Sequence, residues 1–101
     1  QINIGHETQK SGIVSFNVKN FLQKCVDDYG LNIIGLMCLP PYDQPSEKYF
    51  KEMKNLKVDL SASNKYKLNE LSMGMSNDYI SAIKFDTTYI RIGTKIFGER
   101  K

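Results

Sequence analysis

The segments LSMGMSND (71–78) and RIGTKIFGER (91–100) decide the fold and the site that this sequence predicts. Each is a short apolar stretch that breaks at a glycine and continues into small hydroxyl residues at the start of a helical turn. Unpaired backbone N–H groups at such a turn bind phosphate. One segment of this kind is weak evidence, because glycine turns and helix starts are common. Two of them on consecutive strand-to-helix turns face the same end of a parallel sheet, so together they predict one anion site.

The composition indicates one ordinary globular domain. The chain has 101 residues, of which 41% are hydrophobic and 25% are charged. Its 14 basic residues are scattered among 11 acidic ones, so nucleic-acid binding is not expected. It contains no apolar run long enough for a membrane span. Cys25 and Cys38 lack metal-ligand spacing and are interpreted as small apolar residues in a reducing compartment, which predicts no metal site and a cytoplasmic location.

Hydrophobic periodicity predicts strands that alternate with helices. A helix over 17–29 carries apolar residues at helical spacing, and Gly30 follows where a left-handed cap is needed. The run 31–40 is apolar throughout, which is typical of a strand buried on both faces. The remaining predicted elements are a strand at 1–5, a helix capped by Ser46, a strand at 68–73, a helix capped by Ser76 or Asn77, a strand at 89–93 and one helical turn within 94–98.

This alternation predicts an α/β fold with parallel strands, because right-handed crossovers through helices join such strands. Four strands cannot close a barrel, and a (β/α)8 TIM barrel needs about 250 residues. If the parent fold is such a barrel, this chain is about half of it. Gln1 is not an initiator residue, so we expect the chain to be a piece of something longer.

Ser72, Gly93 and Thr94 are the candidate phosphate ligands. Ser72 ends a predicted strand, and its hydroxyl could donate to phosphate together with the N–H groups that follow Gly74. The alternative is a serine that pairs with a neighbouring carbonyl, and this is preferred for Ser72 taken alone. For Gly93 and Thr94 the functional interpretation is preferred, because glycine permits close backbone approach and threonine adds a hydroxyl.

Arg91 alternates with Ile90 and Ile92 along the last predicted strand. Its guanidinium either forms a salt bridge with Glu70 on the preceding strand or faces a ligand heteroatom, and the residues alone leave both open. His6 and Lys10 follow the first strand and belong to the same layer of loops. For these two, a solvated histidine and a surface lysine are the preferred interpretations, although Lys10 could join an anion site.

The segments QINIGHETQKSGI (1–13), LSMGMSND and RIGTKIFGER resemble the C-terminal half of the pyridoxal-phosphate homeostasis protein family, which is related to the N-terminal barrel of alanine racemase. The resemblance implies that residues 1–101 form the C-terminal part of one (β/α)8 barrel domain with pyridoxal 5'-phosphate at its mouth. It implies a cofactor-binding role in vitamin B6 homeostasis without established catalysis. Ser72, Gly93 and Thr94 would hold the phosphate, and Arg91 would face the pyridine nitrogen.

The resemblance also implies something that this sequence lacks. The family's cofactor-binding lysine lies in the N-terminal half, and no position here matches its motif, so we expect that half as a separate or missing piece. One alternative is a fragment of a pyridoxal-phosphate-dependent alanine racemase or amino-acid decarboxylase barrel. Another is a folded remnant without a ligand, whose open edge strands favour self-association.

Overall fold

The computed structural model describes residues 1–63 and 65–99, so Asn64, Arg100 and Lys101 lie outside the described residues. The strands are β1 (Ile2–Asn3), β2 (Ile13–Val14), β3 (Gly35–Met37) and β4 (Glu70–Ser72). The α-helices are α1 (Val18–Gln23), α2 (Glu47–Ser61), α3 (Tyr79–Lys84) and α4 (Thr94–Phe97); a 3₁₀ turn at Ser15–Asn17 precedes α1 and a π-helical turn at Lys24–Asp28 follows it.

The strands form one row of parallel neighbours. β1 pairs with β2, and β3 pairs with β4 in the register Leu36 to Leu71. Parallel bridges from Ile2 to Cys38 and from Ser72 to Tyr89 extend the row at β3 and β4. The order is therefore β2, β1, β3, β4 and the Tyr89 segment. This confirms the predicted α/β fold with parallel strands. Helices join the successive strands from β2 onward, whereas a loop joins β1 to β2.

The first predicted helix is confirmed, with a change of pitch near its end. Helical backbone runs from residue 15 to residue 28. Gly30 has φ +63°, and its N–H donates to Val26 O at 3.1 Å, while Leu31 N–H donates to Cys25 O at 3.0 Å. The glycine thus ends the helix in the left-handed conformation that a residue without Cβ adopts at low cost.

The core lies between α2 and one face of β3 and β4. Its fully buried side chains come from α2, from the ends of β3 and β4, and from the segment that leads into β4; they are Phe50, Met53, Cys38, Leu68, Leu71 and Met73. Burial of such side chains is the main stabilising contribution in a domain of this size. No helix in residues 1–63 or 65–99 is long and apolar enough to cross a membrane.

The prediction of a strand buried on both faces at 31–40 is wrong for the described chain. Ladder pairing covers only Gly35–Met37, and Leu36 and Cys38 are buried whereas Ile34 is 53% exposed. The physical reason is that α2 packs against the face that carries Leu36, whereas the alternate positions Gly35 and Met37 face the other side and are only partly buried.

The predicted strand at 89–93 is also wrong in its extent. Only Tyr89 forms a bridge, with Ser72, and residues 90–93 form no ladder. Arg91 N–H still donates to Gly74 O at 2.9 Å. Gly74 has φ +103°, so the chain turns away directly after β4. The segment after Tyr89 therefore has no strand beside it with which to form a ladder.

Two predicted helix caps take other partners. The hydroxyl of Ser46 makes no cap bond to α2 and instead donates to Asp78 Oδ2 at 2.7 Å. The residue before α3 is Asp78 rather than Ser76 or Asn77, and it makes no side-chain cap bond either. These side chains are engaged in contacts between loops, which outweigh the local preference for capping.

Candidate functional site

The candidate site lies where β4 and the Tyr89 segment end, on the turns that follow them. Ser76 in the first turn accepts two backbone hydrogen bonds from the second turn. Gly93 N–H donates to Ser76 Oγ at 3.2 Å, and Lys95 N–H donates to the same oxygen at 3.1 Å. The two turns therefore meet, as the sequence predicts. Their N–H groups converge on one oxygen atom, which is the arrangement that an oxyanion also uses.

The serine that joins the two turns is Ser76, which the sequence predicts only as a possible helix cap. Its position two residues after Gly74 places it in the turn, whereas Ser72 still belongs to β4, and this position could have identified Ser76 as the contact of Gly93. Thr94 lies between the two donating N–H groups and is exposed. The structure thus brings Gly93 and Thr94 together with Ser76.

Ser72 contacts Arg91 instead. Arg91 Nη1 donates to Ser72 Oγ, and Arg91 Nη2 donates to the carbonyl oxygen of Cys38 at 3.1 Å. The guanidinium therefore spans the ends of three neighbouring segments of the sheet. A planar group with five N–H donors holds a fixed orientation when two partners constrain it.

The predicted alternative of a salt bridge between Arg91 and Glu70 is wrong. In residues 1–63 and 65–99 the ion pairs join Lys10 to Glu7, Lys54 to Asp86 and Lys65 to Asp27. Both acceptors of Arg91 are neutral, so no carboxylate of the described chain neutralises its charge by direct contact. This leaves a fixed positive charge that can attract an electron-rich ligand atom.

Asp78 fixes the turn that carries Ser76. Its Oδ1 accepts a hydrogen bond from Met75 N–H at 2.7 Å, and its Oδ2 accepts the hydroxyl hydrogen of Ser46 at 2.7 Å. One carboxylate thus closes the turn at residues 75–78 and ties it to the start of α2. Ser76 lies inside this closed turn, so its position depends on Asp78.

A cavity of about 500 Å³ lies between the loops that follow β3 and β4, and Arg91 and Lys10 line it together with Met75 and Pro41. Lys10 is not the simple surface lysine that the sequence favours. Its Nζ donates to Leu39 O at 3.2 Å and to Pro40 O at 2.9 Å, and lies 3.1 Å from Glu7 Oε2. These contacts hold Lys10 with its side chain only 28% exposed.

His6 is exposed, as predicted, and pairs locally. Its Nε2 lies 3.2 Å from Ser15 Oγ, and its ring stacks on Phe16 with the centroids 6.2 Å apart. The part of the chain that the structure describes contains no group of three or more His, Cys, Asp or Glu side chains that could hold a metal ion.

Cys38 lies beneath the guanidinium and is completely buried. Burial raises the pKa of its thiol to about 12, and the positive charge of Arg91 offsets only part of that effect. The thiol is therefore neutral at physiological pH and acts as a packing residue.

No protein-family model matches this chain. A protein of Aquifex aeolicus (strain VF5) named pyridoxal phosphate homeostasis protein is 36% identical over 104 residues, which cover 100% of this chain and 46% of the relative. A protein of Synechocystis with the same name is 38% identical and covers 99% of this chain and 47% of its own length.

The chain is related to the pyridoxal phosphate homeostasis proteins. Solved structures show the same relationship. PipY of Synechococcus elongatus PCC7942, determined with pyridoxal phosphate bound, superimposes with a TM-score of 0.79 at 28% identity, over 89% of this chain and 44% of PipY. A protein of unknown function from Bifidobacterium adolescentis gives a TM-score of 0.84 at 28% identity, over 95% of this chain and 40% of its own.

These comparisons confirm the resemblance that the motifs predict. The chain spans just under half the length of the homeostasis proteins that it matches. None of the relatives named above carries the name of an enzyme. The similarity covers both site segments, because it extends over nearly the whole chain.

Proposed function

We propose that this chain forms the phosphate- and ring-binding part of a pyridoxal 5'-phosphate carrier of the homeostasis-protein kind. The observation that carries the proposal is the convergence of Gly93 N–H and Lys95 N–H on the Ser76 hydroxyl, with the Arg91 guanidinium held nearby on the same sheet edge. The name of the relatives and the pyridoxal phosphate bound to PipY support it.

The residues present fit the cofactor. A phosphate needs several donors. This edge has the hydroxyls of Ser76 and Thr94 and two backbone N–H groups, which would exchange Ser76 Oγ for a phosphate oxygen. Gly93 has no heavy atom within 4 Å of the position that a Cβ would take. The space beside its backbone is therefore open to a ligand.

Arg91 sets the character of the proposed site. When bound, pyridoxal phosphate supplies an electron-accepting pyridine ring to amino groups. An arginine beside the ring nitrogen disfavours its protonation, because the guanidinium keeps its positive charge at any physiological pH. This lowers the electron-accepting power of the ring, so the site suits binding and delivery of the cofactor better than turnover. The rival assignment to an alanine racemase or amino-acid decarboxylase has no supporting observation in the structure.

We further propose that residues 1–101 are the C-terminal half of a (β/α)8 barrel domain. The open face of the row of parallel strands supports this, since Tyr89, which pairs with Ser72, remains more than half exposed there and the relatives are about twice as long. The missing half would cover this face and supply the lysine that holds the cofactor covalently. A cytoplasmic location, without nucleic-acid or membrane partners, stays a prediction.

Calorimetric titration of the chain with pyridoxal 5'-phosphate, pyridoxal and inorganic phosphate tests the proposal. Phosphate should compete with the cofactor, and pyridoxal should bind more weakly, because the converging N–H groups recognise the anion. Ser76→Ala should weaken cofactor binding about tenfold, since the serine hydrogen is a donor to the anion. Ser11→Ala is the matched control on an exposed serine. Equal affinity for pyridoxal and its phosphate would show that the phosphate site is wrongly assigned.

A further inference from the structure

We propose that Thr87 and Thr88 are positioning residues that fix the register of the Arg91 segment against β4. The inference rests on the proposed function only in that Arg91 is taken to contact the ligand. The sequence alone predicts no role for either threonine, since both precede the predicted strand at 89–93.

The hydroxyls of both threonines add hydrogen bonds to the short backbone pairing between the two segments. Leu71 N–H donates to Thr88 Oγ1 at 2.8 Å, and Met73 N–H donates to Thr87 Oγ1 at 3.2 Å. The Thr87 hydroxyl lies within 3.0 Å of the carbonyl oxygens of Leu71, Met73 and Tyr89, and its one hydrogen can serve any of them. The two side chains therefore bind the backbone of β4 on both sides of Ser72.

Backbone pairing between the two segments is short. Tyr89 N–H donates to Leu71 O at 3.0 Å, Met73 N–H donates to Tyr89 O at 3.1 Å and Arg91 N–H donates to Gly74 O at 2.9 Å, and Gly74 then turns the chain away. A slip of one residue would move every side chain of the segment to the opposite face, because side chains alternate along extended backbone. Arg91 would then leave Ser72 and the Cys38 carbonyl, and an isoleucine would take its place.

The threonines oppose this slip because each hydroxyl recognises a particular amide of β4. Thr88 N–H adds a bond of 2.8 Å to Leu71 O, so backbone and side chain of the same residue hold one position on β4. Thr88 is exposed and Thr87 is half-buried, so removing either hydroxyl leaves the apolar core largely intact. Their effect should therefore appear at Arg91 more strongly than in the overall fold.

The test uses the ¹⁵N-labelled chain and the Nε–Hε signal of Arg91. The sequence contains two arginines, Arg91 and Arg100, and an Arg91→Lys variant assigns the signals. Thr87→Val and Thr88→Val keep the side-chain shape and remove the hydroxyl, whereas Thr87→Ser and Thr88→Ser keep the hydroxyl. Thr8→Val is the matched control at an exposed threonine.

The valine variants should shift or broaden the Arg91 signal and weaken binding of pyridoxal 5'-phosphate about tenfold, the equivalent of one hydrogen bond. The serine variants should restore both, and Thr8→Val should change neither. An unchanged Arg91 signal in a folded Thr87→Val, Thr88→Val double variant would overturn the inference. So would unfolding of both single valine variants, since the threonines would then be purely structural. A chain that binds no cofactor but shows the Arg91 shift would keep this inference and refute the proposed function.

Discussion

Arg91 Nη1 donates a hydrogen bond to Ser72 Oγ, so the serine that ends β4 is a partner of the guanidinium. The same guanidinium also donates to Cys38 O on the next strand. Ser72 and Arg91 thus form one unit across the sheet, whereas Ser76 faces the N–H groups of the following turn. The two serines of the segment 71–78 therefore have separate partners, Arg91 for Ser72 and the N–H groups of Gly93 and Lys95 for Ser76.

Ser72→Ala should therefore act through Arg91. Loss of a hydrogen bond to a charged group costs about 1.5–3 kcal/mol when the group is buried, and the half-buried position of Arg91 reduces this to about 1 kcal/mol. Urea denaturation measures the change in the free energy of unfolding. Ser72→Ala should also weaken the binding of pyridoxal 5'-phosphate more than the binding of inorganic phosphate. If both ligands lose affinity equally, Ser72 contacts the phosphate after all.

Gly93→Ala and Gly74→Ala should have opposite effects on stability and binding. A Cβ at Gly93 meets no heavy atom within 4 Å, so the unfolding free energy should change little while affinity for the cofactor falls. Gly74 has φ +103°, and a Cβ there would lie 2.8 Å from Ala82 Cβ, so Gly74→Ala should cost about 2 kcal/mol or more of stability. Thermal unfolding and ligand titration separate the two effects. If the folded Gly93→Ala variant binds the cofactor with unchanged affinity, the ligand does not closely approach the backbone of residue 93.

Asp78→Ala should loosen the turn that carries Ser76. It leaves Met75 N–H and the Ser46 hydroxyl without their acceptor, which should cost about 1–3 kcal/mol. Affinity for inorganic phosphate should fall as well, because the position of Ser76 depends on this turn. Asp43→Ala, at an exposed loop residue, is the control. Retention of phosphate affinity in a destabilised Asp78→Ala variant would separate the turn from the anion site.

Cys38 should make the protein sensitive to alkaline pH. Burial raises the pKa of its thiol from 9.0 to about 12, so the unfolded chain releases this proton first. Since the folded state binds more protons between these values, stability should fall as pH rises from 9 toward 12, by at most about 1.4 kcal/mol per pH unit. Chemical denaturation at pH 8 and pH 10.5 measures this loss. Cys38→Ala should be less stable at pH 8 yet lose less stability with pH. Parallel losses in both proteins would assign the effect to other groups.

The order of elements follows from the sequence because it depends on local patterns. Helical periodicity within 17–29, the glycine at 30 and the apolar run before Pro40 each act over a few residues, and the structure retains a helix, a left-handed cap and a parallel strand there. The two glycine-containing segments likewise predict that Gly93 and Thr94 lie beside the turn after β4. That proximity is found, since the end of one parallel strand necessarily meets the end of its neighbour.

Sequence alone therefore determined the α/β order, the parallel direction and the two turns that form the candidate site. Only the tertiary structure decided that Ser76 rather than Ser72 faces Gly93, that Arg91 pairs with Ser72 and Cys38 O rather than Glu70, and that threonine hydroxyls reinforce the short pairing at residue 89. The reason is geometric. A hydroxyl reaches a donor only within about 3 Å, and this distance depends on strand register and on where Gly74 turns the chain. Local patterns fix which elements form, but not which side chains meet across them.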